Sequence, residues 1–273
     1  MDDTSEYENT DHLWQLARVY DDFHRARASS PLVSRLYAQA MGDAYPEEVA
    51  PYSSCDWPLL GTLLGRLRLR PDEHLIDLGC GTGGVGLWLA RALAARLTGI
   101  DISQQALGLA KERTTCFVPR GRAEFRHASM ESTRLPKENA DGIICIDALF
   151  KAPRRVAALN EIRRLLRPGG RAVVTAGGKW DRDGLPFWLA QAERAGLKVE
   201  AVDERPDEPA MWERLYRLWL RHEDELRHQL GETQTDSMIE EARRTYPRLA
   251  ERRAIGATLR RPPGPANASY ATR

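Results

Sequence analysis

Two carboxylates and a run of glycines are the residues of this chain whose types and spacing suit chemistry best. The stretch "HLIDLGCGTGGVGLWLA" (74–90) is apolar, then holds four glycines between Gly81 and Gly86, then turns helical. A strand that ends in glycines and feeds a helix is a nucleotide- or anion-binding device. Glycine lets the backbone turn sharply and approach a ligand, and the N–H groups of the helix face it. The literal G-x-G-x-x-G (Gly81, Gly83, Gly86) suits a dinucleotide equally well. Asp77 weighs against one. A carboxylate is unfavourable beside a pyrophosphate, but it attracts an ammonium or sulfonium in a low dielectric. Its other reading is local: it orients the loop by accepting from backbone N–H groups. Asp101 closes the next apolar run, 18 residues past Gly83, where a carboxylate accepts from both hydroxyls of a ribose.

These residues need a sheet to carry them. Strand-like apolar runs fall at 74–79, 96–101, 123–128, 142–149 and 171–177. Helical patterns lie between them at Val85–Leu93, Gln104–Thr114 and Arg154–Leu166, with Leu59–Leu67 ahead of the first strand. Alternation of this kind implies a parallel sheet with helices on both faces. The first 50 residues read as helices, with Tyr20 and Phe23 on one stripe and Ser30, Pro31 and Gly42 bounding a second helix. After a helix at 185–196 and a strand at 197–204, residues 206–231 read as one long helix capped by Asp207. A further helix (235–247) and a final strand near 254–262 follow.

The motif set, taken in order, resembles the class I S-adenosylmethionine-dependent methyltransferases over about residues 58–204. "LIDLGCGTGG" is similar to that superfamily's first motif, "LTGIDIS" to its second-strand acid, "ADGIICIDALF" to its fourth strand and "LLRPGGRAVV" to its fifth. The resemblance implies an α/β, Rossmann-like sheet of seven mostly parallel strands. It divides the chain into an N-terminal helical lid (1–57), a cofactor-binding core (58–206), a helical insertion (207–250), the last strand (251–261) and a flexible tail (262–273). The cofactor it implies is S-adenosylmethionine. Asp77, Gly79, Cys80, Gly81 and Gly83 would meet its methionine part, Asp101 and Ile102 its ribose, and Ser129, Met130 and Asp147 its remaining edge. One departure stands out: where the family often has an acid for the adenine amine, "HASMES" offers Ser129, with Glu131 two residues on.

His24 and Asp147 are the candidate catalytic bases, with Glu48 as a third. Tyr20, His24, Phe150, Trp180, Trp188, Trp212 and Tyr216 are the candidate acceptor contacts, on the expectation that aromatic stripes in both helical segments wall the pocket. The "YAQAMGDAYPEEVAPYSSCDW" lead-in resembles bacterial natural-product tailoring enzymes, some of which methylate indole carbon. No metal role is expected, because the Asp-Asn that would complete a catechol-type site is absent after the fifth strand. The alternatives are a protein of this fold that binds the cofactor for another reaction or as a scaffold, and an NAD-dependent oxidoreductase.

Composition narrows the partners. Forty basic residues against 39 acidic give a net charge of +1, so a polyanion is not the default partner. No apolar leader or span-length stretch is present, and the four cysteines lack metal spacing. The expectation is a cytoplasmic monomer or homodimer acting on a small molecule, with neither nucleic acid nor membrane as partner.

Overall fold

The computed structural model describes residues 4–178 and 188–263. Two helices come first, α1 (Thr4–Ala28) and α2 (Pro31–Met41). Ser30 opens α2 with its hydroxyl accepting from the Leu32 backbone N–H, and Pro31 fills the first turn. Asp56 caps α3 (Trp57–Leu67) in the same way, accepting from Leu59 N–H at 2.8 Å. Strands and helices then alternate: β1 (His74–Leu78), α4 (Gly84–Ala92), β2 (Arg96–Asp101), α5 (Gln104–Phe117), β3 (Ala123–His127), β4 (Ala140–Cys145), α6 (Arg155–Leu165) and β5 (Leu166–Gly178). After them come α7 (Trp188–Arg194), β6 (Lys198–Glu204), α8 (Glu208–Arg221), α9 (Glu223–Leu230), α10 (Glu232–Thr245) and β7 (Arg253–Arg260).

The seven strands form one sheet in the order β3-β2-β1-β4-β5-β7-β6. The five that bear the motifs are parallel, and β7 runs antiparallel between β5 and β6. Strand order reverses between β1 and β4, and in open α/β sheets the ligand crevice lies outside the carboxyl ends at such a switch point. Residues of alternate parity face opposite sides of β1, so Ile76 packs under α6 and α7 while Leu75 packs under α3, α4 and α5. That two-sided burial explains the unbroken apolar run in the sequence.

A third apolar cluster joins α2 to α8, α9 and α10, with Leu32, Leu36, Tyr37, Leu215, Trp219, Leu226 and Ile239 at its centre. Two expectations need correction here. The single helix expected over 206–231 breaks at His222, because Glu223, Asp224 and Glu225 start a new helix whose N-terminus favours acids. Asp207 does not cap α8. Its own backbone is already helical, at φ −84 and ψ −14, and its side chain makes no capping bond. β4 also stops at Cys145, short of the expected 149, and Asp147 beyond it sits at φ +52. Among the described residues, no helix is long and apolar enough to cross a membrane. The tail beyond Pro263 lies outside the described residues.

Candidate active site

The glycine loop after β1 is held by the next strand. Gly79 and Cys80 donate their backbone N–H groups to Ile100 O at 2.8 and 3.0 Å, and Gly81 N–H donates to Asp101 Oδ2 at 2.8 Å. Gly79, Gly81 and Gly83 all have positive φ (74, 51 and 74), which glycine adopts without strain. A Cβ on Gly79 would lie 2.5 Å from that of Ala148, so the loop approaches the turn after β4 closely. Gly86 makes room for Asp77: a Cβ there would lie 2.7 Å from Asp77 Oδ2.

Asp77 is only 2% exposed, and its Oδ2 has no hydrogen-bond partner among the described residues. Burial raises its pKa to about 8, the charge of Asp101 raises it further within that shift, and the Gly86 N–H pulls the other way. The loop-steadying reading of Asp77 is thus visible in the structure. One N–H of the α4 N-terminus steadies it, and one oxygen stays unsatisfied. Asp101 accepts from Gly81 and Ser103 N–H groups, each at 2.8 Å, yet burial still raises its pKa.

A cavity of about 1090 Å³ of empty space, continuous with solvent, opens above this loop. Its floor includes Asp77, Gly79, Cys80, Gly81, Asp101, Ile102, Ser129, Met130 and Asp147. Gly83 does not line it. A Cβ on Gly83 would meet Ala110 and Phe125 at 3.0 Å, so that glycine serves the packing of α5 and β3. Glu131 is not free to replace Ser129, since it accepts from Arg154 N–H at 2.7 Å and from Arg154 Nε at 2.9 Å.

The opposite wall comes from α1 and from the linker between α2 and α3. Leu16, Tyr20, Phe23 and His24 face in from α1, and Val49, Pro51, Tyr52 and Ser53 from the linker. Phe23 meets Tyr20, His24 and Tyr52 edge-on, with ring centroids 6.0, 4.9 and 6.4 Å apart. His24 lies over Gly81, and its Nδ1 has no hydrogen-bond partner among the described residues. Burial lowers its pKa to about 4, and the nearby Arg27 guanidinium adds to the shift. The imidazole is therefore neutral at pH 7. Arg27 is itself buried and stacks on Phe23, Cζ 3.3 Å from the ring centroid.

Several expected site residues lie elsewhere or are already engaged. Asp147 lines the cavity but acts as a staple. Its Oδ2 accepts from Ser54 N–H at 2.6 Å and its Oδ1 from the Thr175 hydroxyl at 2.8 Å, so the carboxylate ties the linker to the sheet at the cavity's edge. Glu48 points outward and accepts from Trp88 Nε1 and Arg91. Trp212 donates to Glu208 at 2.8 Å and meets Tyr37 edge-on, while Tyr216 donates to Glu241 at 3.0 Å. Both belong to the cluster beneath α2 and do not line the cavity, because the apolar stripe of α8 is spent on α2. Trp188 is buried against the sheet under α6. Phe150 is 52% exposed beside Lys151, outside the cavity. Trp180 lies outside the described residues.

The linker residues, above all Tyr52 and Ser53, were missed from the sequence, as was Thr82 of the loop. The aromatic-and-proline break "YPEEVAPYSS" is the one local signal that could have found them.

Comparison with known proteins agrees with this geometry. The methyltransferase domain family matches residues 75–170. An O-methyltransferase of Pyrenophora dematioidea is 34% identical over 46% of this chain and 49% of its own length. The 27-O-demethylrifamycin SV methyltransferase of Amycolatopsis mediterranei is 28% identical over 59% of this chain and 57% of its own. The chain thus spans about half the length of these two relatives. Among solved structures, the [4+2]-cyclase SpnF matches at a TM-score of 0.72 and 21% identity, covering 92% of this chain and 97% of its own. Geranyl diphosphate C-methyltransferase of Streptomyces coelicolor matches at 0.60 and 18%, covering 91% and 97%. Residues 75–170 thus match the methyltransferase domain family, and the chain as a whole shares the fold of these solved structures.

Proposed function

We propose that this chain transfers a methyl group from S-adenosylmethionine to a small, largely apolar or aromatic acceptor. One observation carries the reading: a single cavity joins the unsatisfied Asp77 oxygen and Asp101 beneath the glycine loop to an aromatic wall holding a neutral His24. The orphaned, buried Asp77 Oδ2 fits the ammonium of the cofactor's methionine part, and Asp101 fits its ribose hydroxyls. When bound, the cofactor supplies a methyl group already activated on sulfonium.

The chain's own residues then have three tasks. Tyr20, Phe23, Tyr52 and Ile146 exclude water and seat a flat apolar acceptor. The loop and the α1 wall face each other across the cavity, so an acceptor between them is held against the cofactor's place, and orientation of this kind lowers the barrier. His24, neutral and in the wall, takes the proton of an acceptor hydroxyl or acidic carbon. Because its pKa is held near 4 it is a weak base, so its contribution falls at the low end of the roughly 10²–10⁴-fold range for positioned bases. Asp147 supports the site by fixing the linker to the sheet.

The names of the relatives support oxygen as the acceptor atom; carbon, including an indole carbon, is the second choice and rests on the sequence resemblance alone. The test is incubation with methyl-labelled cofactor and a panel of phenols, enols and indoles. Label in an acceptor, with S-adenosylhomocysteine formed in equal amount, is the expected result. Binding of S-adenosylhomocysteine with no transfer to any acceptor, and conversion of an unsaturated acceptor without cofactor use, would assign the site to a different reaction. Binding of NAD in its place would overturn the reading altogether.

A further inference from the structure

α1 supplies Leu16, Tyr20, Phe23 and His24 to the acceptor wall, so its placement over the glycine loop shapes the site. Apolar contact alone places a helix loosely, since a stripe can slide or roll at small cost. One residue of α1 makes directional bonds to the cofactor side. Asp21 Oδ1 accepts from the Ser103 hydroxyl at 2.7 Å and from the Gln105 backbone N–H at 3.0 Å. Both donors sit at the first turn of α5, directly after Asp101.

The chain of bonds continues inward. The Ser103 hydroxyl also accepts from Ala106 N–H at 3.0 Å, so its donor and acceptor capacity are both used and its rotor is fixed. Ser103 N–H donates to Asp101 Oδ1, and Asp101 Oδ2 takes Gly81 N–H. His24, one turn beyond Asp21 on α1, lies over that same Gly81, with its Cε1 3.6 Å from where a Cβ would stand. The loop, Asp101, Ser103, Asp21 and His24 thus close a ring that spans both sides of the cavity.

From this ring we infer that Asp21 is a positioning residue, which registers the acceptor wall of α1 against the cofactor loop through one carboxylate oxygen. The inference deepens the methyltransferase reading and rests on it for its catalytic consequence. Its structural content stands without that reading. Both bonds use Oδ1, so the amide oxygen of asparagine can replace it, whereas alanine removes both acceptors and leaves the Ser103 hydroxyl and Gln105 N–H to water.

The test is amide hydrogen exchange over residues 14–28 in the ligand-free full chain. Asp21→Ala should exchange there about tenfold faster or more, as expected for two lost hydrogen bonds. Asp21→Asn should stay within about threefold of the parent. Should Asp21→Ala fail to fold, Ser103→Ala carries the test, and it should loosen α1 by a smaller factor. In turnover, Asp21→Ala should lower kcat/KM for the acceptor about tenfold and leave S-adenosylhomocysteine affinity within about threefold, with Asp21→Asn restoring turnover. Unchanged exchange in Asp21→Ala would overturn the inference. So would an Asp21→Asn as loose as alanine, because charge at the α5 N-terminus rather than bond geometry would then hold the helix. If exchange responds as expected but no acceptor is methylated, the positioning role stands and the methyltransferase reading fails.

Discussion

The two sides of the cavity are built by different means. The cofactor side comes mainly from one continuous stretch, 77–103, in which the backbone N–H groups of Gly79, Cys80, Gly81 and Gly83 find partners a few residues away or on the adjacent strand. The acceptor side is assembled from α1, the linker at 49–53 and the turn after β4, which are far apart in sequence and are brought together by long-range ties such as Ser54 to Asp147. Each side keeps one buried polar atom without a partner: Asp77 Oδ2 below and His24 Nδ1 above. Burial moves the two groups in opposite directions, raising the acid to about 8 and lowering the imidazole to about 4. Both are therefore neutral in the ligand-free protein at pH 7. What distinguishes the sides is how they become charged. In the proposed reaction a cationic ligand would ionise Asp77, whereas a proton from the acceptor would ionise His24. A contiguous motif suits a cofactor that never varies, and a composite wall can change its acceptor through separate segments.

The largest expected effect falls on the acceptor side alone. His24→Ala should lower methyl transfer by roughly 10²-fold, the low end for a positioned base held near pKa 4, and leave S-adenosylhomocysteine affinity unchanged. Because burial and Arg27 hold the imidazole near 4, the acid limb of the parent's pH–rate profile should fall near pH 4 and not near 6.5. The linkage has a matching sign. The unfolded chain binds a proton at His24 that the folded one refuses, so this group costs stability as pH falls from 6.5 to about 4. Equal losses of turnover and of cofactor affinity in His24→Ala would erase the division between the two sides.

The next effect belongs to the cofactor side. Asp77 must ionise to meet an ammonium, so S-adenosylhomocysteine affinity should climb by up to about tenfold per pH unit and level off near pH 8. In the ligand-free protein the sign reverses. Folding holds a proton that the unfolded chain releases, so stability falls as pH rises from 3.8 to about 8. Asp77→Asn should flatten both profiles, as calorimetry and thermal melts across pH would show. A pH-independent affinity in the parent would mean that Asp77 only steadies the loop.

The smallest effect on catalysis should come from α8. Trp212→Phe deletes the donor to Glu208, which is only 4% exposed and keeps its Arg252 partner at 2.7 Å. We expect a loss of about 1–3 kcal/mol in stability and an acceptor KM within about twofold of the parent. A large rise in KM without a fall in Tm would place Trp212 in the acceptor wall after all.

Residues that act through local geometry were readable before any fold was known. The glycines need positive φ, Asp101 ends a strand and Ser30 caps a helix. Each follows from a few neighbouring residues and the backbone conformations they permit. The α/β alternation was readable for the same reason, since a strand buried on both faces must be apolar throughout. An aromatic stripe is different. It shows that a helix face is buried but not what covers it. Tyr20 and Phe23 turned out to face the cavity, while the similar stripe of α8, with Trp212, Tyr216 and Trp219, faces α2.

The sequence by itself therefore determined the alternating strands and helices, the glycine loop and the two carboxylates beside it, because these depend on near neighbours and local backbone conformation. The tertiary structure alone decided which aromatic residues wall the acceptor, that Asp147 is held by Ser54 and Thr175, and that Asp21 reaches the first turn of α5. Those facts depend on how separate elements pack. Packing is set by the summed burial of many side chains, and no single segment of sequence carries it.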